Sequence, residues 1–302
     1  MRKNILVGTI VTMLFVILMI SFLAGSPNQE ARSTERSNQI AVIYIEGTIT
    51  SGRSGSDFFS GPTAGSMTIM EHLRMAANDP TVSAVVLRFN TPGGSVAAAQ
   101  EIATEIRRLR ETGIPIVASM ADVCASAGYY LASLADVIVA NPGTITGSLG
   151  VFMQVANFEE LYEKLGIEYT IIMSGEYKDM GATNRALRPD EREILQAMVD
   201  DIYQQFIETI AEGRNMPLER VMELADGRIY TGSQAKELGL VDEMGNYYDA
   251  ISRAAELAGI TGVPRVKNYH RPGFLDFLFS SQDFSNFWRG LSVQPVQPFV
   301  VN

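Results

Sequence analysis

From position 39 to position 140 the chain alternates short β-branched apolar runs with stretches of helical period, and that order narrows the fold more than any other feature. Strands are predicted over 40–46, 83–90, 116–119, 137–140 and 169–173, with helices over 67–78 and 96–110 and another opening near Ala125. Strand and helix in turn, joined by short connections, build stacked βαβ units on a parallel sheet, so the fold class is α/β. Ile102, Ile106 and Leu109 share one face of the second helix, which packs them against that sheet. Past Pro189 the pattern is helical over 190–212, 218–225, 233–238 and 247–258, which predicts an α-helical C-terminal appendage that packs or oligomerises the sheet.

The flanks differ from this middle. Arg2 and Lys3 precede an uncharged, mostly apolar run over 5–25, about the 20 residues that a helix needs to cross a bilayer. The run exceeds a signal-peptide core of roughly 7 to 15 residues. Cleavage after Ala24-Gly25-Ser26 would also make Pro27 supply the scissile nitrogen. Residues 1–25 are therefore predicted to be an uncleaved N-terminal transmembrane helix. Its N-terminus lies inside, because Arg32 and Arg36 beyond the span are offset by Glu30 and Glu35. Residues 26–38 read as a polar linker, 39–262 as the folded domain and 263–302 as an apolar tail. Five phenylalanines and the sole tryptophan fall within 274–288 of the tail, where docking on the chain's own domain competes with a neighbouring subunit or the membrane surface. Phe58 and Phe59 lie in a Gly/Ser-rich loop over 50–66, which reads equally as a substrate lid, a partner contact or plain surface.

Composition removes several functions. A net charge of −10 with scattered arginines leaves no footprint for nucleic acid. A single cysteine, Cys124, allows neither an intrachain disulfide framework nor a zinc cluster. The only histidines are His72, inside a helical stretch, and His270, beyond the folded core, so neither suits a general base. Without a partner histidine, Cys124 reads as a small buried residue and not a nucleophile.

Three segments put small residues where a strand ends and the chain turns. Asn90-Thr91-Pro92-Gly93-Gly94-Ser95 closes a strand with two glycines able to aim N–H groups into a cleft. The stretch from Ser119 to Tyr130 puts Ser126 at a helix start, as an N-cap or an exposed nucleophile. Thr146-Gly147-Ser148-Leu149-Gly150 follows a further strand. Each alone is weak; in this order they resemble the signal peptide peptidase A family (peptidase family S49) in its short single-repeat bacterial form, a relative of Clp protease and crotonase in fold. The resemblance covers roughly 40–260 and extends to Ala225-Asp226-Gly227-Arg228-Ile229-Tyr230-Thr231-Gly232 and to residues 235–243.

That resemblance implies Ser126 as nucleophile, Lys178 as general base, Ser148 as a residue that orients the lysine, and the backbone of Gly94 and Ala127 as oxyanion hole. Ala127 stands where the family often has glycine, which narrows the backbone angles while keeping the N–H. Elimination agrees on the base: arginine keeps its proton, and of the five lysines only Lys178 lies in a Gly-containing segment just beyond a predicted buried strand, where burial can free its amine. The implied enzyme is a membrane-anchored serine endopeptidase that degrades remnant signal peptides and other unstructured peptides outside the cytoplasm, without metal or cofactor. It also implies a homo-octameric ring, with Ser126 and Lys178 of one site drawn from the same or adjacent subunits. The rival readings are a non-catalytic membrane scaffold, a crotonase-type acyl-CoA enzyme and a cytosolic Clp-like protease.

Overall fold

The computed structural model describes residues 38–57 and 61–269. The predicted anchor, most of the linker, Phe58 and Phe59, His270 and the Phe-rich tail lie outside them. In chain order the elements are β1 (Gln39–Glu46), β2 (Thr48–Thr50), β3 (Gly55–Asp57), β4 (Gly61–Gly65), α1 (Ser66–Asn78), β5 (Val82–Thr91), α2 (Val96–Glu111), β6 (Ile116–Ala125), α3 (Ala127–Ala132) and β7 (Val137–Ala140). There follow β8 (Ile145–Gly147), α4 (Glu159–Leu165), α5 (Pro189–Arg214), α6 (Leu218–Leu224), β9 (Ile229–Thr231), α7 (Gly232–Glu237), β10 (Glu243–Met244), α8 (Tyr247–Leu257) and β11 (Arg265–Tyr269).

The main sheet runs β10-β7-β6-β5-β1-β11, parallel throughout, as the alternating pattern requires. Its central strands are apolar on both faces because helices cover both. On one face lie α1 and α2, the latter capped by Ser95, whose Oγ accepts the Ala98 N–H at 3.4 Å. The α2 stripe of Ile102, Ile106 and Leu109 is fully buried there, each side chain contributing about 1.5–3 kcal/mol. The other face is closed by α8, whose Ala250, Ile251, Ala254 and Ala255 meet Val42, Val86, Val117 and Val139.

Four expectations change. The helices after Pro189 are no mere appendage: α8 seals the sheet's second face, and α5 sends Phe206, Ile207 and Ile210 into the core, with Phe206 stacked 5.3 Å from Tyr130. The domain runs past 262, since β11 pairs with β1. Strand β6 continues six residues beyond Ser119. Its first half pairs with β7 and its second with β8, across a bulge opposite β5 where the Val123 N–H reaches Asn90 Oδ1 at 3.3 Å. Finally, 169–173 is not a strand, for among the described residues it has no sheet partner. Among the described residues no helix is long and apolar enough to cross a membrane.

Candidate active site

The end of β6 is held in a strained turn. Ser126 takes φ +53° and ψ −123°, a region that non-glycine residues rarely occupy, between the last residue of β6 and the first of α3. Two backbone hydrogen bonds keep it there: its N–H donates to Gly147 O at 2.8 Å, and its carbonyl accepts from the Tyr130 N–H at 3.0 Å. The turn lifts the side chain out of line with both elements and leaves it partly exposed, as a nucleophile needs.

Gly93 lies against this turn and Gly94 against β2, where nothing larger fits. A Cβ on Gly93 would fall 2.8 Å from Ser126 Cβ and 3.1 Å from the Ala127 nitrogen. A Cβ on Gly94, whose φ is +151°, would fall 2.1 Å from Ile49 O. Strand β2 fixes that second glycine, with Ile49 N–H donating to Gly93 O at 2.8 Å and Ser95 N–H to Ile49 O at 2.9 Å. This pattern turns the Gly94 N–H away from Ile49. The Gly93 N–H is taken by Thr91 Oγ1 at 3.1 Å, whereas among the described residues the N–H groups of Gly94 and Ala127 have no backbone acceptor. They are the pair predicted as oxyanion donors. Ala127 opens α3 without the left-handed φ that would call for glycine, so alanine costs nothing at this position.

Ser148 comes to the same place from the other side. It too has a left-handed φ, +51°, and follows directly on Gly147, the residue that binds the Ser126 N–H. Strand β8 is seated by β9: Ser148 N–H donates to Arg228 O at 2.7 Å, and Gly147 lies so close under the Tyr230 ring that a Cβ would meet it at 2.6 Å. The downstream Arg228-Ile229-Tyr230 segment is thus a buttress for the Ser126 turn. Sequence reading missed Thr91, Gly147 and Tyr230 in this role; the glycine-serine pairing in the third segment was the available signal for Gly147.

Lys178 is elsewhere. It sits exposed in a run of tight turns over 175–182, and no hydrogen bond or ion pair among the described residues joins it to Ser126, Ser148 or a carboxylate. The burial expected for its amine is not supplied by the described residues of its own chain, where no residue from 151 to 190 is buried. That stretch exposes large apolar side chains, Phe152 at 83% and Ile172 at 94%, together with Leu161, Leu165 and Tyr169. Its firmest point is Arg185, which pairs with Asp179 and with the fully buried Glu191 at 2.8 and 2.5 Å. Hydrogen bonds from Arg185, aided by the Arg188 N–H, hold the Glu191 carboxyl at about 2 although burial pushes it upward. A carboxylate lowered on folding contributes stability that is whole above the ordinary glutamate value of about 4.3 and is lost as pH falls towards 2.

The remaining nucleophile and base options recede. His72 lies in α1, its ring 5.9 Å from Tyr269 on the edge strand β11, across the sheet from β6. Cys124 is fully buried, and burial pushes its thiol well above the ordinary range. The native protein is therefore expected to resist iodoacetamide, with alkylation of Cys124 appearing only in denaturant; mass spectrometry of the native and unfolded chains checks this.

A family model described as Peptidase family S49 matches residues 108–261, a span that includes Ser126, Ser148 and Lys178 but not Gly94. A Synechocystis protein assigned as a protease is 43% identical over 227 residues, covering 75% of this chain and 77% of that one. An Enterococcus faecium protein assigned as a signal peptide peptidase is 32% identical over 272 residues, covering 83% of this chain and 79% of the other. The chloroplastic serine protease SPPA of Arabidopsis thaliana is 37% identical over 230 residues, covering 74% of this chain but 33% of the plant protein.

Proposed function

Because this chain belongs to peptidase family S49, the signal peptide peptidase A family, we propose that it is a serine endopeptidase in which Ser126 is the nucleophile and Lys178 the general base. The strained Ser126 turn, near two backbone N–H groups that have no backbone acceptor among the described residues, is the observation that carries this reading. Ser126 Oγ attacks the peptide carbonyl and its proton passes to Lys178 Nζ. Gly94 and Ala127 stabilise the oxyanion, each N–H worth about 100-fold to 1000-fold in rate. Lys178 returns the proton to the leaving amine, and water, deprotonated by the same amine, releases the acyl group from Ser126.

This chemistry needs a lysine that is neutral when substrate arrives, hence one stripped of water. The exposure of Lys178 in a single chain supports a site completed by a second copy, and the apolar side chains of 151–190 are of the kind that an interface buries. In this reading the copies form a closed ring, an octamer by resemblance, and Lys178 of one subunit serves Ser126 of the next. The apolar run over 5–25 supports an anchor that keeps the domain at the outer face of the cytoplasmic membrane. Cleaved signal peptides left in that bilayer are substrates of fitting chemistry, being apolar and unstructured.

A fluorophosphonate probe tests the core of the proposal. Wild-type protein is expected to take up the label on Ser126 and Ser126→Ala to take up none. An unlabelled wild type, or equal labelling of both, would sink the peptidase reading and leave a scaffold.

A further inference from the structure

Lys178 stands on a loop with no sheet neighbour, yet a general base must be held to within a fraction of an ångström of its proton donor. The turns themselves are closed by weak local bonds, Lys178 N–H to Gly175 O at 3.1 Å and Met180 N–H to Tyr177 O at 3.2 Å. The residues on either side of the lysine are tied down more firmly. Arg185 grips Asp179 with two parallel hydrogen bonds, Nε to Oδ2 and Nη2 to Oδ1, both 2.8 Å. The same guanidinium reaches both oxygens of Glu191, at 2.8 and 2.5 Å, in the first turn of α5. Glu191 also accepts the Arg188 N–H at 2.9 Å. Arg188 in turn donates to Glu176 O at 3.2 Å and covers the Tyr177 ring at 5.3 Å. Since α5 is rooted in the core by Phe206, Ile207 and Ile210, a continuous chain of contacts runs from the core to the lysine's two neighbours.

The arrangement has a second consequence. Asp179 adjoins Lys178 in sequence and is the obvious counter-ion for its ammonium, but both its oxygens are occupied by Arg185. The charged groups around the turn are Glu176, Asp179, Arg185, Arg188, Asp190 and Glu191, and Asp190 faces Arg188. Of the carboxylates, Asp179 is the one adjacent to Lys178 that Arg185 keeps engaged.

We propose that Arg185 is a positioning residue for the reaction: it fastens the Lys178 turn to α5 and withholds the Asp179 carboxylate from the lysine. The inference rests on Lys178 being the base. In this role Arg185 and Asp179 act through Lys178, so the readout is the pH dependence of turnover and not its size alone.

The experiment compares wild type, R185Q, R185K, D179N and R185Q/D179N in full-length protein, with far-ultraviolet circular dichroism to confirm the fold. In R185Q the freed Asp179 pairs with the ammonium, and the acid limb of kcat/KM moves up by about one pH unit or more, with KM little changed at high pH. In R185Q/D179N the limb returns to the wild-type position although kcat stays low, because the tether is still missing. R185K, which keeps the charge but not the fork, gives a smaller shift. A limb that does not move in R185Q, or that moves and is not restored by D179N, overturns the inference. If R185Q does not fold, the same decision falls to R185K with and without D179N. K178A separates the two levels: full activity in K178A defeats the assignment of the base, whereas an inactive K178A beside an unmoved R185Q limb defeats only the role of Arg185.

Discussion

Preparations of Ser126→Ala and of Lys178→Ala are each expected to lose peptide hydrolysis by about 10⁴-fold or more. Rings assembled from equal amounts of the two should regain about a quarter of wild-type activity, since a head-to-tail ring gives half of its sites a serine and half of those a lysine. Neither chain alone offers a complete pair, yet random mixing creates sites in which the K178A subunit brings Ser126 and the S126A subunit brings Lys178. The physical basis is that Ser126 is fixed against Gly93 and Gly147, while Lys178 sits exposed in a stretch, 151–190, with no buried residue, and no hydrogen bond among the described residues joins the two. Mixed rings verified by native mass spectrometry that stay inactive would mean that each chain uses its own lysine. Alanine at 126 carries the same Cβ as serine and adds no steric demand at φ +53°, and far-ultraviolet circular dichroism checks that the variant keeps the fold.

The second large effect is expected from Gly94→Ala. Its methyl would sit 2.1 Å from Ile49 O at a φ of +151°, so strand β2 or the glycine turn must shift, and the N–H proposed as an oxyanion donor shifts with it. A donor that acts only on developing charge lowers kcat without weakening ground-state binding. Gly94→Ala should therefore lose about 100-fold to 1000-fold in kcat, with KM within a few-fold, and should react more slowly with the fluorophosphonate probe. Steady-state kinetics and labelling rates measure both. A kcat within twofold of wild type would remove Gly94 from the oxyanion hole.

What could be read beforehand followed the physics of each element. Strands β1, β5 and β7 and helices α1 and α2 were legible to within a residue or two, because near-continuous Val and Ile runs and the Ile102, Ile106, Leu109 stripe carry their own period. The three-residue strands β8 and β9 were not, since at that length pairing partners decide the structure and partners are far apart in sequence. The run at 169–173 has the composition of a strand, but composition does not say whose sheet it joins. At the site, the glycines and Ser126 announced themselves as a turn after a strand. The left-handed φ at Ser126 and Ser148, and the grip of Arg185 on Asp179 and Glu191, leave no periodic trace and emerge only from the folded chain.

The buttress from β9 also sets an order of events. Ser126 is anchored through Gly147, and Gly147 is seated by Arg228, Ile229 and Tyr230, so the nucleophile's turn depends on residues made long after the nucleophile itself. A chain synthesised from its N-terminus holds β1, β5, β6 and α1 and α2 well before β9 exists, and the distant pairing of β8 with β9 closes late. The growing polypeptide is therefore expected to lack the support that β9 gives the Ser126 turn until residues 229–231 have been made. A chain that ends before β9 would accordingly carry Ser126 without the strand that seats Gly147.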